Sequence, residues 1–127
     1  MTVRVMVVDD TDHVRTMLAE MLELDGFAVV ARASNGDEAV ALVDGTDPHV
    51  VVMDLKMPGM DGLEATRQIK ERRPTQPVIL YTAYLDAVVE AEAKRVGVTL
   101  CLGKIDGLTE LERQISRLTL ELAGEGS

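Results

Sequence analysis

Short apolar runs alternate with segments of helical periodicity from one end of the chain to the other. The apolar runs predict five strands, at residues 3–8, 28–33, 49–53, 77–81 and 98–102. The segments between them predict five helices, at residues 14–24, 36–44, 62–73, 86–96 and 108–123. In the first of these segments, apolar residues recur at the spacing of one helix face: Val14, Met17, Leu18, Met21 and Leu22.

The order of these elements predicts the fold class. The strand segments are rich in valine and lack strict alternation of apolar and polar residues, which is typical of strands buried on both faces. Because a helix follows every strand, we expect an α/β fold with an open, five-stranded parallel sheet and helices on both faces. Turn residues agree, since Asn35 and Gly36 precede the second helix and Gly97 follows the fourth. We predict one domain over residues 1–123 and a frayed tail at 124–127.

Composition narrows the range of functions. The 127 residues are 46% hydrophobic and 28% charged, as in ordinary globular domains. A net charge of -9 and an aromatic content of 2% argue against direct binding to nucleic acid. No apolar stretch approaches the ~20 residues of a membrane span, so we expect no membrane insertion. The one cysteine, Cys101, cannot form an internal disulfide, which fits a cytoplasmic location.

Carboxylates follow two of the predicted strands at the point where each strand ends. Asp9 and Asp10 come directly after the apolar run 5–8, and Asp54 comes directly after the run 50–53. The carboxyl ends of parallel strands meet at one edge of the sheet, where α/β proteins bind their ligands. Three carboxylates at that edge would repel one another, so the pattern predicts a hard divalent cation, Mg²⁺, between them.

Two further strand ends add groups that suit a phosphoryl group. Thr82 follows the fourth predicted strand, and Lys104 follows the fifth. One carboxylate could act as a nucleophile while the cation, the hydroxyl and the ammonium neutralise the phosphoryl oxygens. Each residue alone has an ordinary explanation, because paired aspartates often cap a helix and a lone threonine or lysine is usually structural or solvated. The five residues all fall at carboxyl strand ends, which favours a joint function.

The same residues carry a resemblance to a known family. Beside Asp9 and Asp10, the stretches that carry it are 33–39 and 53–62, together with Thr82 and Lys104. Over residues 3 to 120 the chain resembles the receiver domain of bacterial two-component response regulators, in the single-domain form similar to chemotaxis regulators. This resemblance implies a flavodoxin-like (βα)5 topology with strand order 2-1-3-4-5.

The resemblance also implies the chemistry of the domain. Asp54 would accept a phosphoryl group from a sensor histidine kinase or a histidine phosphotransfer protein. Thr82 would meet the phosphoryl group as the switch hydroxyl, and Lys104 would pair with it. The output would be altered docking to a downstream protein, by a monomer or a weak homodimer. Such a module is not an enzyme beyond catalysing its own phosphotransfer and dephosphorylation.

The metal site follows from the resemblance in the same way. The side chains of Asp10 and Asp54 would bind Mg²⁺ directly, and Asp9 would bind it through water. Lys56 would contribute its backbone carbonyl, because its side chain cannot be a ligand for a cation.

The chain departs from the family at two positions of the fifth βα unit. Cys101 stands where the family usually has a tyrosine or phenylalanine that swings inward on activation. Ile105 stands where the family often has a proline after the lysine. These departures leave phosphorylation intact but remove the ring of the usual output switch. Since its neighbours Leu100 and Leu102 are apolar, we expect Cys101 to be a small core residue and not a reactive thiol.

Two other functions stay open from the sequence. The first is an aspartyl-phosphate hydrolase of the haloacid-dehalogenase type, which also uses an aspartate at a strand end. That family needs Asp-x-Asp after the first strand with the nucleophile first, whereas this chain continues Asp9-Asp10-Thr11-Asp12. The second is the receiver of a transcription factor, separated from its DNA-binding domain.

Overall fold

The computed structural model describes residues 1–125. Five strands alternate with five helices along the chain. The strands are β1 (Arg4–Val8), β2 (Ala28–Ala33), β3 (Val50–Met53), β4 (Val78–Thr82) and β5 (Leu100–Gly103). The helices are α1 (Asp12–Leu24), α2 (Gly36–Thr46), α3 (Gly62–Arg72), α4 (Ala87–Val96) and α5 (Gly107–Glu125). A short 3-10 turn, Lys104–Asp106, joins β5 to α5.

The five strands form one parallel sheet in the order β2-β1-β3-β4-β5, which confirms the expected fold class and strand order. The register between β1 and β3 pairs Val8 with Met53. The residues that follow these partners, Asp9 and Asp54, therefore leave the sheet side by side. The ladder continues past the strand ends, since the Asp54 N–H donates to the Val8 carbonyl over 3.0 Å.

Alternate residues of each strand supply two separate cores, one on each face of the sheet. Met6 and Val8 pack on the face covered by α2, α3 and α4, together with Val43 and Ile69 from those helices. Val5 and Val7 pack on the other face, against α1 and α5. The central strands β3 and β4 are buried along their whole length. Burial on both faces explains the runs of valine without polar alternation.

The structure corrects several predicted element bounds. Helix α1 begins at Asp12, two residues earlier than predicted. Thr82 is the last residue of β4 and does not follow it, and β5 lies at Leu100–Gly103, later than the predicted 98–102. Helix α2 runs to Thr46, two residues beyond the predicted end at 44, and the left-handed residue that follows it is Asp47, with φ 43°.

The C-terminal helix is longer than the sequence pattern suggests. Helix α5 runs to Glu125, so it includes the first half of the predicted tail at 124–127. Residues 126 and 127 of that tail lie outside the described residues. Within residues 1–125, no helix has both the length and the apolar character needed to cross a membrane.

Candidate functional site

The three predicted carboxylates meet at the carboxyl end of the sheet. One carboxylate oxygen from each of Asp9, Asp10 and Asp54 lies within 4.8 Å of the others. Asp9 and Asp54 are buried, with 2% and 8% of their surface exposed, and Asp10 is half-buried. The strand-end positions and the β1–β3 register together account for this grouping.

Asp54 is buried, and its neighbours offset only part of the negative charge of its carboxylate. Its Oδ1 accepts the N–H of Leu55 over 2.8 Å, and its Oδ2 lies 3.5 Å from the Lys104 ammonium. Burial raises the pKa of the Asp54 carboxyl, and the charge of Asp9 raises it further, while Lys104 opposes both. An additional positive charge near Asp54 would therefore favour its ionised, nucleophilic form.

Lys104 connects the fifth βα unit to the carboxylates. Its Nζ lies 2.9 Å from Asp9 Oδ2. Burial acts to lower the pKa of Lys104, but its hydrogen bond to Asp9 and the charges of Asp54 and Asp9 raise it on balance. The lysine is therefore held in its charged form beside the proposed phosphoryl acceptor.

The three carboxylates differ in how many hydrogen bonds they already accept. Asp9 accepts the N–H of Thr11 over 2.9 Å on Oδ1 and Lys104 on Oδ2. Among the side chains that the structure describes, those of residues 1–121, the Asp10 carboxylate has no hydrogen-bond or ion-pair partner. Asp10 is therefore the carboxylate with the most capacity for an added ligand.

Thr82 ends β4 and pairs in the sheet with Gly103, the residue before Lys104. Its side chain is fully buried, and its hydroxyl oxygen accepts the N–H of Tyr84 over 3.1 Å. Thr82 and Lys104 line one cavity of about 240 Å³, together with Ala83, Leu85, Gly103 and Ile105. The predicted hydroxyl and ammonium thus share one space next to the acidic cluster.

The segment between β3 and α3 is held close to Asp54 by a glycine. The Gly62 N–H donates to the Leu55 carbonyl over 2.7 Å. A Cβ at Gly62 would lie 2.0 Å from the Asp54 carbonyl oxygen, which no side chain could tolerate. Gly59 in the same segment has φ 77°, a value that glycine adopts without strain. The glycines therefore let the loop fold back against Asp54.

Sequence reasoning missed two contacts at this site. Arg15 donates to the Asp9 carbonyl over 2.7 Å and also pairs with Asp12, three residues earlier on α1. The spacing of Asp12 and Arg15 was a visible sign of a helical ion pair. The second contact places the Lys56 ammonium 4.5 Å from the centroid of the Tyr84 ring. Nothing in the spacing of Lys56 and Tyr84 indicates this cation–π contact.

The residue that replaces the usual aromatic is unreactive in this setting. Cys101 is half-buried and packs against the core on the α2–α4 side, as expected from its neighbours. Burial raises the pKa of the Cys101 thiol, and the charge of Glu90 raises it further. The thiol is thereby kept protonated, whereas a reactive cysteine requires the thiolate.

The donor set fits a hard divalent cation. Carboxylate oxygens are the ligands that Mg²⁺ and Ca²⁺ prefer, and one or two carboxylates with several waters are enough for Mg²⁺. Asp9, Asp10 and Asp54 supply such oxygens at one point, and Lys104 neutralises only part of their charge.

Comparison with known proteins decides the family. The family model of the response regulator receiver domain matches residues 5–116. The chain belongs to the response regulator receiver domain family. Receiver domains of this kind act as phospho-acceptors in two-component signalling, and phosphorylation and Mg²⁺ binding are characteristic of them.

Curated relatives place the receiver domain in proteins of different kinds. The chain is 37% identical over 124 residues to response regulator GacA of Pseudomonas protegens, covering 97% of this chain and 57% of that protein. It is 51% identical over 80 residues to a protein-glutamate methylesterase/protein-glutamine glutaminase of Natronomonas pharaonis, covering 63% of this chain and 22% of that protein. The chain thus spans between a fifth and three fifths of the length of these relatives.

Solved structures show the same fold. A LuxR-family two-component response regulator from Aurantimonas sp. superposes with a TM-score of 0.83 at 31% identity, with 98% of each chain covered. The Vibrio cholerae chemotaxis protein CheY4 superposes with a TM-score of 0.85 at 26% identity, covering 93% of this chain and 99% of that one. These likenesses support the receiver-domain reading and do not favour the hydrolase. They also do not single out a transcription factor, since the relatives include methylesterases and a chemotaxis protein.

Proposed function

We propose that Asp54 of this receiver domain accepts a phosphoryl group from a sensor histidine kinase or a histidine phosphotransfer protein. The observation that carries the proposal is the setting of Asp54, buried at a strand end among two further carboxylates and 3.5 Å from the Lys104 ammonium. In the transfer, an Asp54 carboxylate oxygen forms a bond to phosphorus while the P–N bond to the donor imidazole breaks. The departing imidazole takes a proton from solvent.

The other site residues would stabilise the negative charge of the transferred phosphoryl group. The Lys104 ammonium would pair with one phosphoryl oxygen, and the Thr82 hydroxyl would donate to another. The carboxylates of Asp10 and Asp54 would hold Mg²⁺, with the Lys56 carbonyl as a further ligand and Asp9 bound through water. Asp9 suits this outer position because its two oxygens already accept hydrogen bonds. The bound Mg²⁺ would supply positive charge against the carboxylates and the phosphoryl oxygens.

The output would be protein docking, with no chemistry on a further substrate. The domain would change its affinity for a downstream protein in the cytoplasm, and it would catalyse only its own phosphotransfer and dephosphorylation. An apolar groove of about 300 Å³ between α1 and the start of α5 supports a docking role. Met17 and Met21 line this groove with exposed side chains, and the groove reaches Lys104 at the site. Flexible methionines suit surfaces that accommodate a partner helix.

The proposal is tested with acetyl phosphate as a small donor. The parent protein with Mg²⁺ should gain one phosphoryl group by intact mass spectrometry, and borohydride trapping with peptide mapping should place it on Asp54. Asp54→Asn should lose the incorporation entirely, because an amide cannot form the acyl phosphate. Asp44→Asn, at the opposite end of the sheet, is the matched control and should incorporate as the parent does. Undiminished incorporation in Asp54→Asn would assign the acceptor to another residue.

A further inference from the structure

A contact between two side chains bridges the loops on either side of the phosphorylation site. The Lys56 ammonium lies 4.5 Å from the centroid of the Tyr84 ring. Lys56 is two residues beyond Asp54, and Tyr84 is two residues beyond Thr82. Both side chains are exposed, so the contact is made in solvent at the mouth of the site. It joins the β3–α3 loop to the β4–α4 loop.

The backbone of Tyr84 adds a second connection, to the buried hydroxyl. The Tyr84 N–H donates to Thr82 Oγ1 over 3.1 Å. A hydroxyl that accepts one hydrogen bond still has a proton to donate. Thr82 can therefore donate to a phosphoryl oxygen while Tyr84 fixes the orientation of its lone pair. Tyr84 thus contacts Lys56 through its ring and Thr82 through its backbone.

Before phosphorylation, the ammonium of Lys56 lies over the Tyr84 ring. The Asp54 carboxylate already accepts the Leu55 N–H and lies near Lys104. Within residues 1–125, Lys56 forms no ion pair, and the Tyr84 ring is the partner of its ammonium. An ammonium on an exposed ring gains only a weak attraction, because water competes for its charge.

Phosphorylation would change this balance. The added phosphoryl group would place charged oxygens beyond the Asp54 carboxylate, and Lys56 is only two residues beyond Asp54 in the chain. A charge-assisted hydrogen bond from an ammonium to a phosphoryl oxygen is stronger than an exposed cation–π contact. The Lys56 ammonium cannot lie over the ring and bind the phosphoryl group at the same time. We therefore expect it to bind the phosphoryl group, which is the stronger of the two interactions.

We propose that phosphorylation of Asp54 moves the Lys56 ammonium from the Tyr84 ring to the phosphoryl group and so frees the β4–α4 loop. This inference rests on the proposed function of Asp54. The freed loop leads directly to the first turn of α4, since Asp86, two residues beyond Tyr84, accepts the N–H of Val89 over 2.8 Å. The switch works by competition for one positive charge. It needs no aromatic ring at Cys101, on the strand next to Thr82.

The direct measurement is the ring-current shift of the Lys56 side chain. The chain contains only four lysines, so a sample labelled with ¹³C-lysine gives a simple NMR spectrum. In the unmodified parent, the Lys56 ε-protons should be shifted upfield by the ring beneath them. Acetyl phosphate with Mg²⁺ should remove that shift. Tyr84→Phe keeps a ring and should behave as the parent, whereas Tyr84→Leu should lack the upfield shift in both states.

A second measurement tests the release of the loop. Lys56→Met removes the charge at nearly equal length, so its amides at 83–87 should already lie near the positions that the phosphorylated parent adopts. Amides in Lys56→Met that match the unmodified parent would overturn the inference. A Lys56 signal that keeps its upfield shift while peptide mapping shows phosphate on Asp54 would overturn the inference alone. Failure of any phosphate to reach Asp54 would overturn the proposed function as well.

Discussion

Both ends of the sheet gather charged side chains, but carboxylates outnumber the cations that pair with them at only one of the two ends. At the carboxyl end, the carboxylates of Asp9, Asp10 and Asp54 share the single ammonium of Lys104. At the amino end, arginines and aspartates pair with each other: Arg4 and Arg73 with Asp47, and Arg72 and Arg73 with Asp44.

The two ends also differ in burial and in the effect on acidity. Asp54 is buried and its pKa is raised, first by burial. Asp47 is exposed and its pKa is lowered, first by the hydrogen bond from Arg73 and then by the positive charge of Arg73. Exposed pairs such as those of Asp47 contribute little to stability and need no further partner. The carboxyl end, in contrast, keeps an excess of negative charge, which an added cation would offset. An excess of negative charge therefore distinguishes the carboxyl end from the amino end.

The largest expected effect is on stability, and it comes from replacing one glycine with alanine at each end of the sheet. Gly62→Ala should lower the free energy of unfolding by about 3 kcal/mol, because the new Cβ would meet the Asp54 carbonyl oxygen at 2.0 Å. Gly45→Ala, in a helix that ends at the amino end of the sheet, meets nothing within 4 Å and should stabilise the protein by up to about 1 kcal/mol. Urea unfolding of both variants checks this. Equal stability of the two variants would contradict the close packing at Gly62.

The next effect concerns the cation. Asp10→Asn should raise the dissociation constant for Mg²⁺ at least about tenfold, or about 1.4 kcal/mol, because it removes the carboxylate that no other group uses. Asp47→Asn is the control from the amino end, since asparagine tolerates the left-handed conformation of that residue. A Mg²⁺ titration followed by amide chemical shifts gives both constants. Unchanged affinity in Asp10→Asn would remove the carboxylate cluster as the metal site.

A pair of carboxyl groups away from the site should make stability depend on pH. Burial first, and then the neighbouring carboxyl group of Asp25, together raise the pKa of Glu112 on α5 to about 7. A carboxyl whose folded pKa is raised stabilises the protein at low pH, and this contribution is lost as the pH rises through about 7. Glu112→Gln should therefore be about 1 kcal/mol more stable than the parent at about pH 8 and no more stable at about pH 5. The exposed Glu121→Gln is the control, and a parallel gain in it would refute a specific effect of Glu112.

The smallest expected effect is a pH dependence of stability at the amino end of the sheet. Its sign is opposite to that of Glu112, because stability is lost as the pH falls. His49 Nδ1 accepts the Arg4 N–H over 2.9 Å, and the pKa of His49 is lowered by burial and then by the charge of Arg4. A histidine with a lowered folded pKa contributes stability above its usual pKa near 6.5, and this is lost as the pH falls. The parent should lose about 0.5 kcal/mol relative to His49→Leu between about pH 7 and about pH 5. Identical pH profiles for the two proteins would show that the hydrogen bond carries no such linkage.

The sequence predicted the parts of the site that depend only on strand order. Asp9 and Asp54 each follow an apolar run, and parallel pairing of those runs is enough to bring them together. The fold class and the strand order were confirmed for the same reason, since periodicity and the resemblance both report on them. The predicted end of α2 at residue 44 was wrong, because the helix continues through Gly45 and the left-handed turn comes only at Asp47. The ends of elements depend on such local choices.

What the sequence could not predict depends on the paths of loops. The contact between Lys56 and Tyr84 joins two loops, and no period along the chain relates their side chains. The pairing of Arg73 with Asp47 likewise crosses 26 residues of sequence. The neighbouring carboxyl groups of Asp25, at the end of α1, and Glu112, on α5, are also far apart in the sequence. Contacts of this kind follow from tertiary packing.

The strand order has a consequence for the chain as it is synthesised. Strands β2, β1 and β3 are neighbours in the sheet and all lie before residue 54, while β4 and β5 add in turn at one outer edge. A chain leaving the ribosome from its N-terminus can therefore assemble the sheet in the order of synthesis. Pairing of β3 with β1 would bring Asp9 and Asp54 together 50 residues before Lys104 is made. The nascent domain would carry its acidic cluster without that lysine, and docking of the last strand would complete both the sheet and the site.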